Sequence, residues 1–313
     1  MKAPVIFLAG PTGSGKTAVA VSLAERYPLE LISVDAAQVY RGLNVGTAKP
    51  GKDLQARVPH GLIDVCEPSD AFSVADYCAG AKVLIGKAHA RGRIPLLVGG
   101  SSFYFATLEN GLSALPPADP EFRAQLTHKA KRVGWPALHQ ELDALDPFSS
   151  GRIERHDAQR IQRALEINWL TGEPVPRGSP GGGIGSAMAL TKMALAYTDR
   201  AALHGVLAAR FKTMLDQGLV AEVEGLRRLP GVKKDSVAMR SVGYRQVWRY
   251  LDGEIDCSSM CAEAIAATRQ LAKRQLTWLR HCGGMVWFSA NQPRVSEVVA
   301  AYAEVKLSPW LNK

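Results

Sequence analysis

An apolar run, Val5-Ile6-Phe7-Leu8-Ala9, passes directly into Gly10-Pro11-Thr12-Gly13-Ser14-Gly15-Lys16-Thr17. The β-branched start favours a buried strand. Val19, Leu23 and neighbouring alanines then recur at helical spacing, so a helix is expected from Thr17 to about Tyr27. A strand, a GxxxxGK[ST] turn and a helix make a phosphate loop, in which consecutive backbone N–H groups and a helix N-terminus converge on anionic oxygens. The glycines let backbone approach the anion closely. Lys16 adds a point charge, and the Thr17 hydroxyl is placed to hold Mg²⁺. The loop residues Gly10, Pro11, Thr12, Gly13, Ser14, Gly15, Lys16 and Thr17 are thus candidate ligands of a phosphate chain. Whether that chain belongs to a nucleotide is a separate question.

At 313 residues the chain suggests one large domain with an insertion, or two domains. No uninterrupted apolar run reaches the ~18 residues that span a bilayer. The first strand begins almost at once, which leaves no room for a signal peptide. The five cysteines are odd in number. Cys257, Cys261, His281 and Cys282 lack paired two-residue knuckles, so the free thiols of a reduced cytoplasm are expected rather than a zinc cage. A net charge of +9 indicates either a merely basic surface or an anionic partner larger than one phosphate.

A second strand, Glu30 to Val34, ends at Asp35. Ligands of parallel α/β sheets sit beyond the carboxyl ends of strands, which places Asp35 near the phosphate loop; the alternative is a helix N-cap. Arg41 to Pro50 reads as an irregular loop. Gly61-Leu62-Ile63-Asp64-Val65 is a short strand, Ala75 to Ala90 a helix, and Ile94 to Val98 a buried strand. The latter closes on Gly99-Gly100-Ser101-Ser102, a possible second backbone nest for an anion. No acidic residue stands where an hhhhD strand would carry one, which argues against an ordinary ATP-hydrolysing motor or GTPase. These units imply an α/β, P-loop NTPase-like parallel-sheet core.

From Pro116 the texture turns helical: Glu121 to Val133, Pro136 to Ala144, and Asp157 to Leu170 with Asp157 as N-cap and Gly172 past the C-terminus. Gly178-Ser179-Pro180-Gly181-Gly182-Gly183 reads as a hinge, and Leu190 to Tyr197 as a strand rejoining the core. Residues 116–185 therefore form a helical insertion in a core of residues 1–115 and 186–313, which ends in helices. Near Asp199 a helix begins whose apolar stripe, Leu203, Val206, Leu207, Phe211, Met214 and Leu215, contains Arg210. An inward arginine either snorkels to water or reaches a bound phosphate. Two final helices are expected, around Met239 to Leu251 and Glu263 to His281. With the insertion they carry basic and aromatic residues that suit a phosphate-backbone footprint.

Several segments resemble the tRNA dimethylallyltransferase family. They are the phosphate loop; Ser33-Val34-Asp35 with Gln38-Val39-Tyr40-Arg41-Gly42; Gly46-Thr47-Ala48-Lys49-Pro50; Asp157-Ala158-Gln159-Arg160-Ile161 with Arg163-Ala164-Leu165-Glu166; Arg240-Ser241-Val242-Gly243-Tyr244-Arg245-Gln246; and Thr268 to Arg280, which includes Lys273-Arg274-Gln275-Leu276-Thr277-Trp278. The resemblance covers nearly the whole chain. It implies that the loop holds the diphosphate of dimethylallyl diphosphate with Mg²⁺, that Asp35 is the general base for an adenine exocyclic amine, and that Arg210 contacts the diphosphate. It also implies a tRNA anticodon stem-loop partner. Asp35, Ala36, Ala37, Gln38, Ser101, Arg123, Gln159, Arg160, Ile161, Gln162, Arg163, Arg240, Tyr244, Arg245, Lys273, Arg274, Gln275, Thr277, Trp278 and Arg280 would contact it, and the protein would be a monomer. Ala36 stands where the family usually has serine, and Ser102 where it has glycine. The rival readings are a P-loop kinase of a nucleoside or small metabolite, with Arg123, Arg132, Arg152 and Arg155 in its lid, and a non-catalytic RNA-binding ATPase module.

Overall fold

The computed structural model describes residues 2–176 and 181–311; residues 178–180 of the expected hinge lie outside the described residues. In chain order the elements are β1 (Pro4–Ala9), α1 (Lys16–Arg26), β2 (Leu29–Val34), α2 (Lys52–Arg57), β3 (His60–Gly61), α3 (Val74–Ala90), β4 (Ile94–Gly99) and α4 (Ser102–Asn110). Then come α5 (Pro120–Val133), α6 (Trp135–Leu145), α7 (Pro147–Ser150) and α8 (Ala158–Thr171). The chain continues through β5 (Ala189–Ala196), α9 (Arg200–Asp216), α10 (Leu219–Arg227), a 3₁₀ turn at Ala238–Arg240, α11 (Tyr244–Leu251), α12 (Cys257–His281), β6 (Met285–Ser289) and α13 (Val295–Leu311). Contacts divide it into two compact units, Met1–Glu109 with Gly183–Lys313, and Asn110–Gly182.

The larger unit is built on a parallel sheet of order β3-β2-β4-β1-β5-β6. A parallel sheet needs helices over both faces, and its central strands read as continuous apolar runs for that reason. β1 is buried at every position. Ile6 and Leu8 pack on one face with Val19 and Leu23 of α1 and Val299, Ala303 and Leu307 of α13. Val5 and Phe7 pack on the other with Tyr77 and Ile85 of α3, Phe105 of α4 and Leu279 of α12. Ala9 and Val34 both pair with Gly99, so β1, β2 and β4 end abreast on one edge. That edge carries the phosphate loop, Asp35 and Gly99-Gly100. A third core joins Val39, Tyr40 and Leu43 to Phe211 of α9, Leu219 of α10, Trp248 of α11 and Ala264 of α12.

In the smaller unit, Leu126, Leu138, Leu142, Ile161 and Leu165 form the core of α5, α6 and α8. Asp119 and Asp157 cap α5 and α8, accepting from the N–H groups of Phe122 and Arg160.

Several expectations change. The strand expected over Gly61–Val65 is only His60–Gly61, because Leu62 and Asp64 turn the chain at φ 62° and 55°. The helix expected over Met239–Leu251 is a 3₁₀ turn and then α11, divided at Gly243, whose φ of 91° no right-handed helix accommodates. The chain does not end in two helices: α10, the sixth strand β6 and α13 are additional. No helix among the described residues is long and apolar enough to cross a membrane.

Candidate active site

The phosphate loop keeps four of its amides free. Ser14 N–H donates to the Pro11 carbonyl, and Gly15 caps α1 at φ 79°. The N–H groups of Gly13, Gly15, Lys16 and Thr17 take no protein acceptor among the described residues. This is the unsatisfied helix terminus on which an anion docks. Gln275 of α12 braces the loop from behind. Its Oε1 accepts from Thr12 N–H at 2.9 Å, and its Nε2 donates to the Gly100 carbonyl at 2.9 Å.

A cavity of about 140 Å³ opens above the loop, lined by Lys16, Thr17, Asp35, Gln38, Arg210 and Gln275 among others. Lys16 Nζ donates to the Pro11 carbonyl at 3.3 Å. Desolvation pulls its ammonium down to about 8 against the field of Asp35, which raises it, while Arg210 lowers it further. Asp35 Oδ1 accepts from Ala37 N–H at 2.8 Å and Gln38 N–H at 3.2 Å, while Oδ2 has no protein partner among the described residues. One oxygen therefore anchors the carboxylate, and the other is available to a ligand. Arg210 is half-buried and forms no ion pair among the described residues. Burial lowers its guanidinium from its ordinary value, and Asp35 partly offsets this. A smaller cavity of about 60 Å³ adjoins, lined by Arg210 with Leu207, Phe211, Met214, Val242 and Leu271.

The other expected site residues divide. The second backbone nest at residues 99–102 does not form, because Gly100 N–H and Ser101 N–H both donate to the Val34 carbonyl. Ser101 Oγ instead accepts from Ala36 N–H at 3.0 Å. Ala36 is exposed, and Ala37 and Gln38 are half-buried at the cavity edge. Gln159, Arg160, Arg240, Arg245, Lys273, Arg274, Thr277 and Arg280 are exposed, whereas Trp278 is half-buried and stacks on Phe105. Ile161 is a correction: it is fully buried in the helical core and offers nothing to an RNA surface. Tyr244 is buried too, with its hydroxyl donated to Glu222, and Gln275 is spent on bracing the loop. Arg123 and Arg163 are half committed, both donating to the fully buried Glu166. Gln162 donates to the Arg123 carbonyl and to Thr127 Oγ1.

The cavity wall also includes Gly46, Thr47, Ala48, Ser241 and Val242, for which the sequence pattern predicts no role. The glycine and proline that bound the Gly46–Pro50 loop were the available signal. Glu222, which supports that loop, had none: an acid on an amphipathic helix reads as solvated surface.

A parallel α/β sheet with a free-amide phosphate loop after its first strand, and a carboxylate beyond the second, defines a P-loop phosphate-binding protein. The comparisons narrow the class. The IPP transferase family model matches residues 38–282, and the isopentenyl transferase model matches residues 3–58. A tRNA dimethylallyltransferase of Thiobacillus denitrificans is 49% identical over 310 residues, covering 96% of this chain and 97% of its relative. That of Bordetella pertussis is 50% identical over 279 residues, covering 88% and 89%. The solved tRNA isopentenylpyrophosphate transferase of Bacillus halodurans superposes with a TM-score of 0.72 at 32% identity, over 99% of this chain and 98% of that one. A eukaryotic dimethylallyltransferase acting on tRNA shares the fold, with a TM-score of 0.78 at 20% identity over 98% of this chain and 80% of that one. The chain belongs to the IPP transferase family.

Proposed function

We propose that this protein transfers the dimethylallyl group of dimethylallyl diphosphate to the N6 amine of the adenosine 3′ of the anticodon in tRNA and releases diphosphate, acting as a cytoplasmic monomer. The observation that carries this reading is that Lys16 and Thr17, whose amides are free, and Arg210 share one cavity with Asp35, whose carboxylate keeps Oδ2 unengaged among the described residues. Negative charge develops on diphosphate as the C–O bond breaks, and preorganised cations and N–H donors meet it without reorganisation. The exocyclic amine is a weak nucleophile, so a base that takes its proton as the C–N bond forms accelerates transfer. Asp35 is the residue assigned to that role, with Oδ1 tied down by Ala37 and Gln38 N–H and Oδ2 left for the substrate.

The residues present suit a divalent ion such as Mg²⁺ that draws most of its ligands from the diphosphate and water. Thr17 lines the cavity, and no group of three His, Cys, Asp or Glu among the described residues forms an all-protein cage. When bound, such an ion neutralises charge on the leaving group. The adenine leaves its stack to reach Asp35, so the protein must grip the surrounding RNA. Exposed Arg240, Arg245, Lys273, Arg274 and Arg280 in the larger unit, and Gln159 and Arg160 in the smaller, are the groups assigned to that grip.

The test is incubation of purified protein with unmodified tRNA, labelled dimethylallyl diphosphate and Mg²⁺, followed by nucleoside mass analysis. Prenylated adenosine and free diphosphate are expected, with added ATP left intact. Unchanged tRNA together with phosphoryl transfer from ATP to a small acceptor would overturn the assignment.

A further inference from the structure

The loop that walls the cavity has no regular structure, yet one side chain outside the cavity accepts from three of its successive amides. Asn44 N–H and Val45 N–H donate to Glu222 Oε2 at 3.1 and 2.8 Å, and Gly46 N–H donates to Oε1 at 3.2 Å. The Tyr244 hydroxyl donates to the same Oε1 at 2.5 Å. Three successive amides form a nest of the kind that binds anions, and here the protein's own carboxylate fills it. Glu222 stands in the first turn of α10 and does not line the cavity.

The clamp is also tight, with Tyr244 and Leu219 packed against the same loop. A Cβ on Gly46 would meet the Tyr244 ring at 2.5 and 2.7 Å and Leu219 at 2.8 Å, so the backbone sits where no larger residue fits. Beyond Gly46 the contacts continue to the proposed base. Gln38 Nε2 donates to the Thr47 carbonyl at 3.3 Å, and Gln38 Oε1 accepts from Ser33 Oγ at 3.1 Å. The backbone N–H of Gln38 then donates to Asp35 Oδ1 at 3.2 Å. Lys49 closes the far end of the loop by donating to the Tyr40 carbonyl at 2.7 Å and to Asp64 Oδ1 at 2.5 Å.

We infer that Glu222 is a positioning residue: it fixes the Gly46–Ala48 wall and, through Thr47 and Gln38, sets the Asp35 carboxylate against the acceptor amine. This rests on the transferase reading of the site. It also separates two parts of the reaction. The prenyl diphosphate is held by the phosphate loop, which Gln275 braces independently, whereas the base is oriented from the Glu222 side.

A carboxylate accepts from all four donors, whereas in Glu222→Gln a carboxamide NH₂ replaces one acceptor oxygen and confronts N–H donors. Misplacement of a reacting group by about 1 Å can cost roughly 10²-fold, so kcat is expected to fall about 10- to 100-fold. KM for dimethylallyl diphosphate should stay within about threefold, because the loop that binds it is untouched. Hydrogen exchange at Asn44, Val45 and Gly46 should accelerate in the same variant. Tyr244→Phe removes one donor of four and should lose less than the glutamine variant. Gly46→Ala pushes the wall away from Tyr244 and Leu219 while keeping the Glu222 carboxylate, and should reproduce the kcat-selective loss. Gly46→Ala also decides the matter should Glu222→Gln fold poorly. Unchanged kcat in both variants, a loss confined to KM, or unaltered exchange at residues 44–46 would each overturn the inference. A wild-type protein that prenylates no tRNA would sink the proposed function instead, while accelerated exchange in Glu222→Gln would still establish the clamp.

Discussion

Replacing Asp35 with asparagine separates the two oxygens of one carboxylate. Oδ1 accepts from the N–H groups of Ala37 and Gln38, and an amide oxygen can do the same, so the turn after β2 should survive. The basicity of Oδ2 is what disappears. A positioned general base contributes about 10²–10⁴-fold, which is about 2.7–5.4 kcal/mol of barrier at roughly 1.36 kcal/mol per decade. Asp35→Ala adds a structural loss, because two N–H donors lose their acceptor at a cost of about 1–3 kcal/mol. The alanine variant should therefore lower the thermal midpoint, whereas the asparagine variant should not. Lys16 supplies an internal control. Asp35 raises the Lys16 ammonium against its desolvation. Removing that charge lets Lys16 fall below about 8, and its charged fraction at neutral pH drops. Steady-state kinetics at pH 6.5 and 8 should then show a kcat loss in Asp35→Asn at both values and a KM for prenyl diphosphate that rises more at pH 8. An asparagine variant that retains more than a tenth of wild-type kcat would refute the assignment of Asp35 as base.

Because Lys16 loses its proton near 8, kcat/KM for the diphosphate substrate of the wild-type protein should fall as pH rises through that value; Lys16→Arg should remove this alkaline limb, and a profile level to pH 9.5 would contradict this. In the smaller unit, burial would raise the Glu166 carboxyl, but hydrogen bonds from Arg123, Arg163 and Asp119 N–H outweigh it and hold it low. A depressed carboxyl stabilises above the ordinary carboxylate range and loses that contribution as pH falls through its folded value, so α5–α8 should unfold at acid pH. Glu166→Gln should cost about 3 kcal/mol, the low end for a broken buried pair because Arg123 and Arg163 stay 38% and 30% exposed. Limited proteolysis of residues 110–182 in denaturant measures this, and resistance equal to wild type would count against it. Affinity for tRNA should fall steeply with salt, and a Lys273→Ala, Arg274→Ala, Arg280→Ala triple variant should shallow the log–log slope by about one per cation. An unchanged slope would remove this helix face from the RNA surface.

Reading the chain without its fold succeeds where the signal is short-range. Asp157 and Gly172 mark the ends of α8 because capping geometry is local. β1, β2 and β4 stand out because buried parallel strands are unbroken apolar runs. Reading fails where an element's neighbours decide its state. The turn at Gly243 looks helical from its flanking residues, and Ile161 and Tyr244 sit within basic segments yet face inward.

The sequence by itself determined that a phosphate loop follows a buried strand in a parallel α/β protein, because the spacing of glycines, lysine and apolar residues encodes backbone conformation directly. Only the tertiary structure decided which side chains meet over that loop. Arg210 reaches the cavity from a helix some two hundred residues downstream in the chain. Gln275 braces a loop 263 residues before it, and Glu222 holds amides 176 to 178 residues away. Contacts across such separations depend on how packed elements align, and no local pattern of residue types records that alignment.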